Sequence, residues 1–348
     1  MNNQKVSIVV PVYNMADSIE ECVKSLVNQD YGKYEIILVD DGSKDDSLER
    51  CNNLKRENTI IQVYHTENRG SGPARNHGID HACGRYIFFP DADDILEKHA
   101  ISRLVEAMEN GNNDLVVFGY REIRPDGALG REKKYPDLHQ NGDDIRAHYA
   151  EYMGSTVSLG IQGAPWNKIF DLEVVKNNNV RFPPLRRHQD EGFIARYMCY
   201  AQHVHFIQDV LYTHFTNDLK LQWKKYPVDY IDAVIGLNET RKETILKWNP
   251  DDVDTHVIIQ REYICNVIKA LELSFSPKMG FNSKKERIAW ITDKLTSSGI
   301  RDVCIPANLG KYQRYIMGII KSGNTNRLYH ALHFKVRVEM SALYRLIR

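Results

Sequence analysis

Apolar positions along the first 120 residues come in short unbroken runs separated by segments with helical spacing. VSIVVPV (6–12), EIILVD (35–40), IIQVYH (60–65), RYIFF (85–89) and DLVVFGY (114–120) read as strands. Between them, DSIEECVKSLVNQ (17–29) places Ile19, Cys22, Val23, Leu26 and Val27 on one helical face. SKDDSLERCNNLKRE (43–57) reads as a helix opened by Ser43 with an acid three residues on. PARNHGIDHA (73–82) reads as a third helix with proline in its first turn, and EKHAISRLVEAMEN (97–110) continues the series. Near-continuous apolar strands alternating with helices predict a mainly parallel sheet covered on both faces.

Residues 121–165 are polar and poorly periodic, which predicts loops and one short helix. From about 216 the strand pattern stops, and VDYIDAVIGLNETRKETILKW and HVIIQREYICNVIKALELSF have helical spacing. The expected division is an α/β domain over 1–215 and a smaller, mainly helical domain over 216–348. In open α/β sheets, ligands sit at the carboxyl ends of the strands. That rule puts Pro11–Asn14, Asp40–Ser43, Thr66–Arg75 and Pro90–Asp94 along one rim.

Composition narrows the classes of partner. The 46 basic and 46 acidic side chains cancel, so no global field favours nucleic acid. None of the six cysteines forms a C-x-x-C pair, and scattered single thiols fit a reducing compartment. The apolar run at the start is too short for a signal-peptide core, and no stretch approaches the roughly 18 apolar residues of a membrane span. A cytoplasmic location is expected, in solution or at the inner face of the membrane.

The chemistry on the predicted rim is carboxylate-rich. At the end of the second strand, VDDGSKDDS offers Asp40 and Asp41 to a ribose hydroxyl or a base imide, although Asp-Gly-Ser is also an ordinary turn and cap. After the third strand, TENRGSGPARNHGI supplies glycines, helix-start amides and Arg75 suited to phosphate, or simply a glycine-rich helix entry. It lacks the third glycine of a dinucleotide fingerprint, which argues against a dehydrogenase. IFFPDADD ends the fourth strand with Asp91, Asp93 and Asp94. Carboxylates this crowded repel one another, and a hard divalent cation held through oxygen would compensate them. Asp190 and Glu191 open a helix-like run, where they act on substrate or merely cap the helix. Trp166 is either core or ligand contact.

Taken together and in order, VSIVVPVYN, QDYGKYEIILVDDGSKDDS, ENRGSGPARNHGI, GRYIFFPDADD, WNKIF and FPPLRRHQDEGF resemble the family 2 glycosyltransferases of GT-A fold, over about residues 5–215. The resemblance implies a GT-A, Rossmann-like mixed sheet that binds a nucleotide-sugar donor, UDP-linked, and serves bacterial surface polysaccharide synthesis. It places Pro11 and Tyr13 about the base, Asp41 on the base edge supported by Asp40, and Asn68 and Arg75 near the nucleotide. Asp91 falls at the ribose or metal sphere and Asp93 at the metal, Mn2+ or Mg2+. Asp190 stands at the catalytic base, with Gln189 where an acid usually precedes it and Glu191 beside it. Trp166, Asn167 and Lys168 fall in the donor or acceptor pocket. The implied reaction is a single inverting displacement by an acceptor hydroxyl of a saccharide or lipid-linked saccharide. Two other readings are a sugar-nucleotide-forming nucleotidyltransferase and a non-catalytic nucleotide-sugar-binding protein. The first expects a glycine-rich basic loop after strand one, where PVYNMADS has neither Gly nor Arg.

The last 38 residues stand apart. Between Lys311 and Arg348 eight basic residues face one acid, Glu339, a net of +7 in a chain whose total is zero. Interleaved aromatic and aliphatic side chains suit peripheral contact with an anionic bilayer, or a helical face packed inward with solvated cations outside. FKVRVEM alternates with period two, which reads locally as a strand.

Overall fold

The computed structural model describes residues 5–152, 159–216, 226, 228–248 and 250–340. In chain order the elements are β1 (Val6–Val12), α1 (Ile19–Val27), β2 (Tyr34–Asp40), α2 (Ser47–Glu57), β3 (Ile61–His65), α3 (Ser71–His81), β4 (Tyr86–Phe88), β5 (Ile95–Leu96) and α4 (Ala100–Glu109). Then come β6 (Leu115–Ile123), β7 (Leu129–Lys133), β8 (Leu138–Asn141), α5 (Gly142–Ala147), α6 (Tyr149–Tyr152), β9 (Lys168–Asp171), α7 (Leu172–Asn177), α8 (Gln189–Tyr197) and β10 (His203–Phe215). The remainder is helical: α9 (Tyr230–Glu243), α10 (Ile245–Trp248), α11 (Val253–Leu273), α12 (Lys284–Ser297), α13 (Lys311–Lys321) and α14 (Thr325–Met340).

Among the described residues ten strands form one sheet, ordered β3-β2-β1-β4-β9-β6-β10-β5, with β7 on β6 and β8 on β10. The strands β3, β2, β1 and β4 pair in parallel, as do β6 and β10. Between these groups β9 is antiparallel to both β4 and β6, so all six parallel strands point the same way. The sheet is therefore mixed. Its apolar runs are buried as the continuous pattern requires: Ile8, Val10, Ile36, Leu38, Phe88, Val116 and Phe118 all lie in one core with α1 and α4. Helix α3 covers the sheet closely, and a Cβ on Gly78 would come within 2.1 Å of Val9 Cγ1. Only glycine permits that approach.

Three local expectations are corrected. The stretch 121–165 is not chiefly loop, because it contributes the end of β6, the strands β7 and β8, and the short helices α5 and α6. Strand β7 is largely exposed on both faces, so it carries no apolar alternation to read. Ser43 does not cap α2, which begins four residues later after Asp46. The Ser43 hydroxyl instead accepts the Asn14 N–H at 3.0 Å, and Asp45 accepts that of Ala16 at 3.2 Å, so tertiary contacts hold 43–46 as a turn. FKVRVEM is part of the helix α14. Leu328, Leu332 and Val336 recur every four residues and are buried, while Phe334 is 72% exposed, so the helical period wins.

The chain divides into two compact units, residues 1–218 with 243–250, and residues 219–242 with 251–348. The second has its own core, with Tyr263, Ile264, Val267 and Leu271 of α11 among Ile316, Ile320 and Leu332. Among the described residues no helix is long and apolar enough to cross a membrane.

Candidate active site

The rim forms because four parallel strands end together and their loops tie one another down. Asn14, at the end of β1, adopts φ 52° and its side chain accepts the Lys44 N–H at 2.8 Å. Asp40 is buried, and one oxygen takes the ring of His65 at 2.7 Å and the Ser43 N–H at 3.3 Å. Its other oxygen, Oδ1, is buried with no hydrogen-bond partner among the described residues. Asp41 accepts the N–H groups of Arg69 (2.9 Å) and Gly70 (2.7 Å), so its carboxylate shapes the loop that leads into α3. Gly42 (φ 69°) makes this closure possible, because a Cβ there would stand 2.8 Å from the Asn68 nitrogen. Asn68 is half-buried, Pro11 pairs with Val39, and Tyr13 is 40% exposed at the rim.

Arg75, on α3, is the organising group. Its guanidinium donates from Nη2 to Asp91 Oδ1 at 2.6 Å and from Nη1 to Asp190 Oδ1 at 2.9 Å. It also lies 5.4 Å over the Phe182 ring. The end of β4 is thereby joined to the start of α8 across 99 positions of sequence. Burial pushes the Asp91 carboxyl up to about 6 against the pull of Arg75, with Asp94, Asp190 and Asp93 adding to the rise. Burial likewise raises Asp190, again opposed by Arg75. About 30% of each side chain still reaches solvent, and neither Oδ2 has a hydrogen-bonding partner among the described residues.

The remaining aspartates of this stretch divide the work. Asp94 is buried and accepts from Tyr212 Oη (2.8 Å), His214 Nδ1 (3.0 Å) and the Phe215 N–H (2.9 Å), which fixes the end of β10 beneath the loop. Asp93 accepts no hydrogen bond from another described residue, and burial and the charge of Asp94 raise its pKa. An under-compensated, partly buried carboxylate next to a second one with an open oxygen fits a hard divalent cation. Asp93 and Asp91 are the residues that could hold it.

Asp190 and Glu191 are not caps. The N-cap of α8 is His188, held at φ 63° with no side-chain capping bond. Glu191 pairs with His188 Nδ1 at 2.7 Å and accepts from Gln162. Gln189 donates to Ser71 Oγ at 2.9 Å and so links α8 to the first turn of α3. The WNK segment packs against the end of β10. Trp166 stacks on Tyr212 (4.9 Å) and His214 (5.0 Å) and meets Tyr120 edge-on. Asn167 is buried, donating to Tyr135 Oη and accepting from Lys168 Nζ at 2.7 Å. Burial lowers the Lys168 pKa to about 7, against the opposing charge of Asp190. These three residues line a cavity of about 220 Å3 together with Gln162, Arg131 and Lys133.

The sequence pattern did not single out Tyr212, His214, His188 or Gln162. For Tyr212 and His214 a signal exists, because residues two apart on a strand share a face and both lie close to a polar loop terminus. Gln162 and His188 carry no such mark.

A mixed sheet of this order, with a carboxylate-lined rim at the ends of its parallel strands, defines a GT-A glycosyltransferase. Comparison with known proteins agrees. The family model "Glycosyl transferase family 2" matches residues 7–158. Glycosyltransferase GlyG of Streptococcus pneumoniae is 32% identical over 252 residues, covering 67% of this chain and 80% of GlyG. The poly(ribitol-phosphate) beta-glucosyltransferase of Bacillus spizizenii is 33% identical over 196 residues, 54% of this chain and 28% of that protein. The crystal structure of S. aureus TarS 1–349 in complex with UDP-GlcNAc has a TM-score of 0.61 at 18% identity, covering 94% of this chain and 90% of that one. The chain belongs to glycosyl transferase family 2.

Proposed function

We propose that the chain is an inverting glycosyltransferase that takes its sugar from a UDP-linked nucleotide sugar, requires a divalent cation, and acts in bacterial surface polysaccharide synthesis. The observation that carries this reading is the Arg75 bridge between Asp91 and Asp190, with the under-compensated Asp93 alongside. Pro11, Tyr13, Asp40, Asp41 and Asn68 border the side of the rim where the base and ribose would lie. A Mn2+ or Mg2+ ion held by Asp93 and Asp91 would neutralise charge on the diphosphate. The acceptor hydroxyl gives its proton to Asp190 Oδ2 as its oxygen bonds to the anomeric carbon. The bond from that carbon to the diphosphate oxygen breaks, and the electron pair leaves with the nucleoside diphosphate. Glu191, engaged by His188 and Gln162, is not poised as a second nucleophile, which favours one displacement and inversion. The words "in complex with UDP-GlcNAc" for TarS and "beta-glucosyltransferase" for the B. spizizenii relative support a UDP-linked hexose.

The test is a panel of UDP-, GDP- and dTDP-sugars with Mn2+, reading donor-stimulated thermal shift and product anomer by proton NMR. One UDP-sugar is expected to stabilise the protein and give a product of inverted configuration. Asp93→Asn is expected to abolish the metal-dependent part of donor binding. Full donor affinity in excess chelator, or a retained anomer, would overturn the reading.

The second compact unit supports an acceptor at a lipid surface. In α13 and α14, Tyr315 (52% exposed), Phe334 (72%) and Val338 (38%) surround a groove of about 560 Å3 flanked by Arg327 and Lys335. The described part of this end carries Lys311, Arg314, Lys321, Arg327, Lys335 and Arg337 against Glu339. Leu343, Tyr344, Arg345, Leu346, Ile347 and Arg348 lie outside the described residues. Exposed aromatics among cations suit an anionic bilayer, each cation near the surface adding about 1 kcal/mol. Co-sedimentation with phosphatidylglycerol vesicles is expected at low salt, reduced by high salt and by Phe334→Asp. Equal sedimentation of Phe334→Asp and the parent would remove this surface from the account.

A further inference from the structure

At the edge of the sheet opposite the nucleotide rim, β8 and β10 bring together three groups that the glycosyl-transfer chemistry does not use. His139 and His205 are direct cross-strand partners, and their rings stack at 3.7 Å with an interplanar angle of 18°. Asp137 stands just before β8, and its Oδ1 is 2.7 Å from His205 Nε2. One ligand atom from each of the three lies within 4.8 Å of the other two. His205 stands near the start of β10, whereas Tyr212 and His214, which hold Asp94, stand near its end. Seven residues of strand at about 3.3 Å each separate the two places by roughly 20 Å.

We propose that Asp137, His139 and His205 form a binding site for a divalent transition-metal ion of zinc's class, completed by water, which staples β8 to β10. The two imidazoles are borderline ligands that favour zinc-like ions over Mg2+ or Ca2+, which prefer all-oxygen sites, and the harder carboxylate is also a common zinc ligand. Metal–ligand bonds of about 2.0–2.2 Å place tetrahedral ligand atoms roughly 3.3 Å apart, inside the span observed here. Asp137 and His139 are exposed, whereas His205 is only 4% exposed, and metal ligation would take the place of the Asp137–His205 hydrogen bond. The protein uses only one nitrogen of that buried ring, since Nδ1 has no partner among the described residues.

The test uses tag-free, full-length protein freed of metal with chelator, titrated with Co2+ and then with Zn2+. One Co2+ per chain with visible d–d absorption is expected, displaced by Zn2+ and unmoved by Mg2+, with a higher Tm in the zinc-bound state. His139→Ala and Asp137→Asn change exposed side chains and should leave the far-UV spectrum intact. Each should weaken binding by more than the tenfold that an outer-shell change typically costs. The exposed thiols are the competing ligands, so the double variant Cys83→Ser, Cys304→Ser should bind as the parent does. Asp93→Asn should likewise retain this site. Absence of Co2+ absorption in the parent would overturn the proposal. So would unchanged titrations of both His139→Ala and Asp137→Asn, or loss of binding in the cysteine double variant.

Discussion

Asp190→Asn is expected to bind the donor as the parent does and to lose sugar transfer by about 10²–10⁴-fold, the range typical of removing a general base. The amide keeps the size of the carboxylate, and its oxygen can still accept from Arg75 Nη1, now 2.9 Å from Asp190 Oδ1. It cannot take the acceptor's proton. Donor affinity by calorimetry and turnover by nucleotide release separate the two effects. In the parent, burial raises the Asp190 pKa against the opposing Arg75 charge, so the acid limb of kcat/KM should lie above the ordinary aspartate value of about 3.9. Asp190→Asn should flatten that limb. If Asp190→Asn keeps near-normal turnover while Glu191→Gln loses it, the base is the carboxylate now paired with His188.

Arg75→Ala is expected to destabilise the protein by about 3–5 kcal/mol, the usual cost of leaving buried charge without its partner. The guanidinium is 3% exposed and serves two carboxylates, so its loss strands both Asp91 and Asp190. The deficit should depend on pH. Without Arg75 both folded-state pKa values stand above the unfolded value of about 3.9. The native chain then holds more protons than the unfolded one, and stability falls as pH rises through that window. Asp91 already titrates at about 6 with Arg75 present. Chemical denaturation at pH 5 and pH 8 checks this, with the smaller deficit expected at pH 5. Equal deficits at both pH values would mean that Arg75 acts through packing on Phe182 rather than through charge.

The half of the sheet that carries the carboxylate-lined rim was legible because its strands are buried on both faces. VSIVVPV, EIILVD and RYIFF are apolar almost without interruption, and the helices between them have a clear 3.6-residue face. β7 and β8 were not legible. They are mostly exposed, pair antiparallel at the margins of β6 and β10, and carry no alternation strong enough to mark them. FKVRVEM misled for the opposite reason. Three apolar residues two apart look like a strand, yet only Val336 of Phe334, Val336 and Val338 is buried.

The sequence by itself determined which residue types stand at the strand ends, because turns there need glycine, proline and short polar side chains whatever lies opposite. It placed Asp91 and Asp93 at one such end and Asp190 at a helix start. Only the tertiary structure decided what each carboxylate does. Asp94 is spent on Tyr212, His214 and the Phe215 amide, Asp41 on the amides of Arg69 and Gly70, and Glu191 on His188 and Gln162. Asp91 and Asp190 share Arg75, and Asp93 keeps no protein partner among the described residues. These assignments depend on partners up to 121 positions away, brought within 3 Å by strand order and register. Local patterning carries no record of such distances, because the charge of an aspartate is the same whether its partner is a guanidinium, an amide or a metal ion.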